Sequence, residues 1–92
     1  MKVALVTGGG TGIGRAAALE LNKIDFVVYV VGRREEELNK TSSLAENKNF
    51  KIIPVKTDIT NSNEVIDLFN KIKNDHGRID LLFNNAGMGA PR

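Results

Sequence analysis

Cysteine is absent from this chain, so neither disulfides nor thiolate chemistry can be involved. Aromatic residues are scarce: Phe26, Tyr29, Phe50, Phe69 and Phe83, none interleaved with a basic stripe. The net charge of +2 comes from 13 basic and 11 acidic residues, scattered apart from the adjacent Arg33 and Arg34. That balance argues against a nucleic-acid partner. Long apolar runs are missing too. The opening Met1-Lys2-Val3-Ala4-Leu5-Val6 is too short for a signal peptide or a membrane span, so a cytoplasmic protein with no membrane partner is expected. At 92 residues the chain is one domain at most. A domain of this size buries only roughly 60–65% of the surface that its unfolded chain exposes, so its stability is marginal.

What the sequence does contain is a regular alternation. Four short apolar runs rich in β-branched residues, Val3–Val6, Phe26–Val31, Lys51–Val55 and Ile79–Phe83, read as strands buried on both faces, as parallel sheets require. The segments between them have helical length. From Ile13 to about Lys23 the stripe is Ala17, Leu21 and Ile24; from Glu35 to about Asn47 the expected buried contacts are Leu38, Leu44 and Ala45. In the third segment Val65, Leu68, Phe69 and Ile72 fall on one face, with Asn61 or Ser62 as cap and Gly77 as terminator. The order β-α-β-α-β-α-β predicts an α/β fold of Rossmann type, three layers around a parallel four-stranded sheet in the order 3-2-1-4. Residues Met88–Arg92 read as a loose tail.

The strongest signal follows the first strand. Gly8, Gly12 and Gly14 are spaced G-x-x-x-G-x-G on a strand-to-helix turn. Gly12 lacks a side chain where a phosphate oxygen would approach, and Gly14 allows close packing of helix on sheet. The helix start then offers unpaired N–H groups and a positive dipole end, which suits a pyrophosphate. Gly9 and Gly14 also have the spacing of a P-loop. The following Arg15-Ala16 lacks the lysine and hydroxyl which that motif needs, so nucleotide hydrolysis is rejected.

Thr7-Gly8-Gly9-Gly10-Thr11-Gly12-Ile13-Gly14 resembles the T-G-x-x-x-G-x-G signature of short-chain dehydrogenase/reductases. Asn84-Asn85-Ala86-Gly87 resembles that family's N-N-A-G motif, and Asp58 stands where the family places an acid after strand three. The resemblance covers essentially the whole chain. It implies that Gly8, Gly10, Thr11, Gly12, Ile13 and Gly14 hold the ribose-phosphate and pyrophosphate of a dinucleotide. It further implies that Asp58 accepts from the adenine amino group, that Ile59 lies against the ring, and that Asn85, Ala86 and Gly87 line the ribose side and brace the central strands.

The end of strand two reads on cofactor choice. An acid there would bond the ribose 2′-hydroxyl of NAD, whereas arginine suits the 2′-phosphate of NADP. This chain has Gly32, then Arg33 and Arg34, so NADP(H) is expected in preference to NAD. Arg33 is the main candidate, Arg34 the second, and Arg15 a weaker source of positive potential. The competing reading pairs the arginines with Glu35, Glu36 and Glu37.

The resemblance also implies hydride transfer between a nicotinamide cofactor and a carbonyl or alcohol, using tyrosine, a lysine four residues later, a serine and a further asparagine. Here the sole tyrosine is Tyr29, and Arg33 stands four residues on. His76 reads as a solvated helix-end residue. No catalytic or metal-binding residue is therefore assigned, and the chain reads as the cofactor-binding front part of such an enzyme, incompetent alone. The alternative is a stand-alone, non-catalytic dinucleotide-binding module. An apolar edge at Leu81-Leu82-Phe83 would invite self-association.

Overall fold

The computed structural model describes residues 1–85. Its elements are β1 (Lys2–Thr7), α1 (Gly12–Lys23), β2 (Phe26–Gly32), α2 (Glu35–Ser43), β3 (Ile52–Lys56), α3 (Ser62–Asp75) and β4 (Leu81–Asn84). The strands form one parallel sheet in the order β3-β2-β1-β4. The Rossmann-type fold is thus the one the alternation predicts. Ala86, Gly87 and the tail from Met88 lie outside the described residues.

The period of the strands sets the two halves of the core. Successive side chains alternate faces, so Ala4, Val6, Val28, Val30 and Ile52 join Ala18 and Leu38 beneath α1 and α2. Val3, Leu5, Val27, Tyr29 and Val31 meet Leu68 and Ile72 of α3 on the opposite face. That makes three layers. β1 and β2 are buried on both faces. β3 is only half-buried and β4 largely open, with Leu82 57% exposed, so the expectation of four fully buried strands holds for two.

Two helices differ from expectation. The fully buried stripe of α1 is Gly14, Ala18 and Asn22; of the expected Ala17, Leu21 and Ile24, Leu21 packs half-buried against the core, Ala17 is half-buried and Ile24 is exposed. Asn22 is buried because its amide is satisfied: Nδ2 donates to the Phe50 and Asn47 carbonyls at 2.8 and 3.3 Å, and Oδ1 accepts from the Asn47 N–H at 3.0 Å. Ile24 lies past the helix end, next to Asp25 with φ of 72°, and is 65% exposed. α2 stops at Ser43 instead of running to about Asn47. Ser43 competes with the helix ladder, its Oγ donating to the Lys40 carbonyl (2.7 Å), while Ser42 Oγ ties the end of the helix to the Ile52 carbonyl of β3 (2.6 Å). Leu38 and Ala45 are buried as expected, while Leu44 is exposed. In α3 the Asn61 side chain accepts from the N–H groups of Asn63 and Glu64, and Gly77 turns out of the helix with φ of 73°. Leu68 and Ile72 are buried, but Phe69 is exposed.

Candidate functional site

The glycine turn sits where β1 feeds α1, at the carboxyl end of the sheet's central strands. The Gly8 and Gly9 N–H groups donate to the Val31 carbonyl (2.8 and 3.3 Å), which fastens the turn to β2. Gly14 lies against Gly8: a Cβ there would overlap the Gly8 carbonyl oxygen and stand 2.7 Å from its carbon. Gly12 differs. Its φ is 57°, a left-handed value that favours glycine, and a Cβ would meet nothing within 4 Å. Thr11 is the N-cap but its side chain makes no capping bond, and α1 has no acid in its first turn. The helix therefore starts with an exposed, uncapped and electrically positive end.

Two clefts open beside this turn. The first, about 110 Å³, is lined by Gly8, Gly10, Thr11, Gly32, Arg33, Arg34 and Glu37, over Leu38. The second, about 260 Å³, is lined by Gly8, Gly32, Arg33, Thr57, Asp58, Ile59 and Thr60. Gly8, Gly32 and Arg33 border both, so Arg33 stands at their junction. The fold brings together Gly8, Gly10, Thr11, Arg33, Arg34, Asp58 and Ile59, residues drawn from three separate strand ends. Ile13 points outward, 67% exposed, and lines neither cleft.

The charges are unequally committed. Among the described residues Arg33 has no hydrogen bond or salt bridge. Arg34 pairs with Glu37 (Nη2 to Oε2, 3.5 Å), as the competing reading held for one of the two arginines. Arg15 does not project free charge. Its Nε donates to Thr41 Oγ1 (2.9 Å), and Nη2 donates to the carboxylate and carbonyl of Glu37 (3.0 and 3.2 Å). The Asp58 carboxyl is held below its ordinary range by hydrogen bonds from the Thr60 hydroxyl and N–H, with Arg33 adding a smaller effect.

At the end of β4, Asn84 Oδ1 accepts from the Thr7 hydroxyl (2.8 Å), and Asn85 Nδ2 reaches the Gly8 carbonyl at 3.5 Å. These asparagines tie the last strand to the glycine turn. Tyr29 points to the α3 face, where its hydroxyl donates to Asp75 (3.0 Å) and lies 2.6 Å from His76 Nδ1. Burial pushes its phenol far above the usual value, and the Asp75 carboxylate adds to this. His76 is accordingly half-buried against Tyr29 rather than a freely solvated helix end.

Three residues escaped the sequence reading. Gly9 is buried against β2, where a Cβ would stand 2.7 Å from Val30 Cβ. Thr41, fully buried in α2, donates to the Gly9 carbonyl at 2.8 Å and latches the turn to α2. A threonine three residues after buried Leu38 was the available signal, since a polar residue on a core face needs a partner. Glu37 was read only as a solvated partner for the arginines, yet its carboxylate lines the first cleft.

A family model described as short chain dehydrogenase matches residues 2–92. The chain belongs to the short-chain dehydrogenase/reductase family. It is 39% identical over 88 residues to the short-chain dehydrogenase/reductase homolog YusS of Bacillus subtilis, covering 95% of this chain and 81% of that protein. Among solved family members, an actinorhodin polyketide ketoreductase with NADPH superimposes with a TM-score of 0.85 at 34% identity, covering 94% of this chain and 33% of the other. A xylitol dehydrogenase with NAD⁺ bound superimposes with a TM-score of 0.87 at 36% identity, again covering 94% and 33%. The chain thus spans about a third of these short-chain dehydrogenase/reductase structures. A nicotinamide dinucleotide is the family's cofactor, and its solved members carry both kinds. No helix among the described residues is long and apolar enough to cross a membrane.

Proposed function

We propose that this chain is the NADP(H)-binding portion of a short-chain dehydrogenase/reductase. The observation that carries this reading is Arg33, a guanidinium without an ion pair among the described residues, at the junction of two clefts and beside Gly32, where a carboxylate would repel phosphate. The glycine turn supports it. The open space over Gly12 and the uncapped start of α1 have the room and the sign of charge that a pyrophosphate needs. In the second cleft Ile59 offers an apolar surface for adenine. One oxygen of Asp58 is taken up by Thr60, which leaves the other as an acceptor for the amino group. Asn85, tied to the Gly8 carbonyl, would border the ribose side.

A bound nicotinamide cofactor supplies the hydride donor or acceptor for a carbonyl or alcohol substrate. What this chain contributes is binding and orientation. With its only tyrosine engaged by Asp75 and no lysine four residues after it, these 92 residues do not turn over substrate by themselves. The chemistry then belongs to sequence that this chain does not contain. A second reading, a stand-alone binding module, is favoured by one finding: the chain covers 81% of the Bacillus subtilis relative, which is itself short. Either form would use the open edge at Leu81 and Leu82 for self-association or for further strands.

Calorimetric titration of the chain with NADP⁺ and NAD⁺ at low salt tests this reading. Tighter binding of NADP⁺ is expected, and Arg33→Ala should weaken NADP⁺ about tenfold or more while moving NAD⁺ less than twofold. Equal losses for both cofactors would refute the assignment of Arg33.

A further inference from the structure

We infer that Glu37 is a specificity-determining residue that holds down the preference for a 2′-phosphorylated dinucleotide. This rests on the reading of the first cleft as the site of that phosphate. Glu37 is the sole carboxylate lining the cleft among the described residues. It stands between two guanidinium groups: Oε1 takes Arg15 Nη2 at 3.0 Å, and Oε2 faces Arg34 Nη2 at 3.5 Å. The Arg15 pair is well shielded, with side chains 20% and 27% exposed, whereas Arg34 is 71% exposed.

The consequence is electrostatic. Two arginines line the first cleft, Arg33 and Arg34; Glu37 neutralises Arg15 behind it and shares Arg34, which leaves Arg33 as the lining arginine without an ion pair among the described residues. A phosphate dianion entering beside Arg33 meets the repulsion of that carboxylate and competes with it for Arg34. On that reading the pyrophosphate common to both cofactors would lie at the α1 N-terminus, whose uncapped positive end offsets the carboxylate there, whereas the extra phosphate beside Arg33 would lack that offset.

Glu37 has two other candidate roles. An acid in the first turn of α2 stabilises the helix dipole, but Glu35 and Glu36 supply that as well. The hydrogen bond to Arg15 braces α1 against α2, and a glutamine keeps that acceptor. Glu37→Gln therefore removes the charge and leaves the brace.

The test is calorimetry on the 92-residue chain, wild type against Glu37→Gln, with NADP⁺ and NAD⁺ at low salt. Loss of one charge at several ångströms from a dianion in a solvent-open cleft should tighten NADP⁺ about fivefold. NAD⁺ should move less than twofold, and the gain should shrink at high salt. Glu36→Gln, the same charge change outside the cleft, should leave the ratio of the two affinities unchanged. Should Glu37→Gln lose its folded circular-dichroism spectrum, Glu37→Asn removes the same charge, still offers Arg15 an amide oxygen and carries the same expectation.

Unchanged NADP⁺ affinity, or an equal shift for both cofactors, would overturn the inference. So would weaker NADP⁺ binding, which would mean that Glu37 orients the arginines for phosphate instead of competing for them. If the wild type binds neither cofactor, or shows no preference, the reading of the cleft itself fails. If Arg33→Ala abolishes the preference while Glu37→Gln leaves it alone, only the role of Glu37 fails.

Discussion

Replacing Gly14 and Gly12 in turn by alanine separates two jobs within one loop. At Gly14 the new Cβ would stand 2.7 Å from the Gly8 carbonyl carbon, against a comfortable carbon–carbon distance of about 3.5–4.0 Å. The obstacle is backbone on both sides, so α1 must retreat from the end of β1 by roughly 1 Å. Overpacking of this kind costs about 1–3 kcal/mol, and rigid neighbours place it at the upper end. Alanine's better helix propensity returns about 1 kcal/mol. A net loss of about 2 kcal/mol or more is expected, from a total on the order of 5–15 kcal/mol for a chain of this size. At Gly12 the Cβ has free space, and the cost is the left-handed φ of 57°, about 1–2 kcal/mol. Its methyl group, however, stands over the uncapped helix start. Urea unfolding followed by circular dichroism, with NADP⁺ titration of each variant, reads both quantities. Gly14→Ala should lose stability and binding together. Gly12→Ala should lose less stability but at least tenfold in binding. A Gly14→Ala variant with the wild-type unfolding midpoint would refute the packing argument, and Gly12→Ala binding as tightly as wild type would refute the placement of the pyrophosphate.

Two further outcomes follow from buried or bridging polar groups. Asn22→Ala leaves the Phe50 carbonyl and the Asn47 N–H without their partners, and should cost about 2–3 kcal/mol in urea unfolding while the cofactor preference stays unchanged. Asp80 accepts from Arg78 and from the Val3 N–H (2.8 Å), and those bonds, Arg78 first, hold its carboxyl below the ordinary range. Because the folded value is the lower one, the stabilisation is complete above the unfolded carboxylate value of about 4 and is lost as pH falls through the folded value. Asp80→Asn should therefore be less stable at neutral pH, and its stability should fall less steeply than the wild type's in acid. Parallel pH curves for the two proteins would show that Asp80 contributes nothing.

Element order and sheet order were legible because they depend on runs of β-branched residues and on glycine placement, both written locally. The glycine turn was legible for the same reason: Gly12 and Gly14 encode a backbone path directly. Faces were harder. That Ala18 and Asn22 are the fully buried positions of α1 could not be read, because a buried asparagine counts as polar until its partners in the 47–50 loop are known. The end of α2 is tied to β3 by Ser42, whose acceptor, the Ile52 carbonyl, lies ten residues away. Within the site, Arg15 read as free charge because its acceptors, Thr41 and Glu37, arrive only when α2 docks. Pattern shows which groups are available; tertiary approach decides which are spoken for.

The sheet order has a consequence for how the molecule comes into being. β1 and β4 are neighbours in the sheet although two other strands stand between them in sequence. Val3 waits for Asp80 and Thr7 for Asn84, each 77 residues downstream. Closing so long a loop is entropically costly and slows folding relative to chains built from local contacts. Until it closes, β1 keeps an unpaired edge, and the Gly8 carbonyl lacks Asn85. The turn that would grip a cofactor is thus completed by a strand synthesised long after it. Any ligand that needs the finished turn favours the state in which the loop has closed, and so draws the last strand into place.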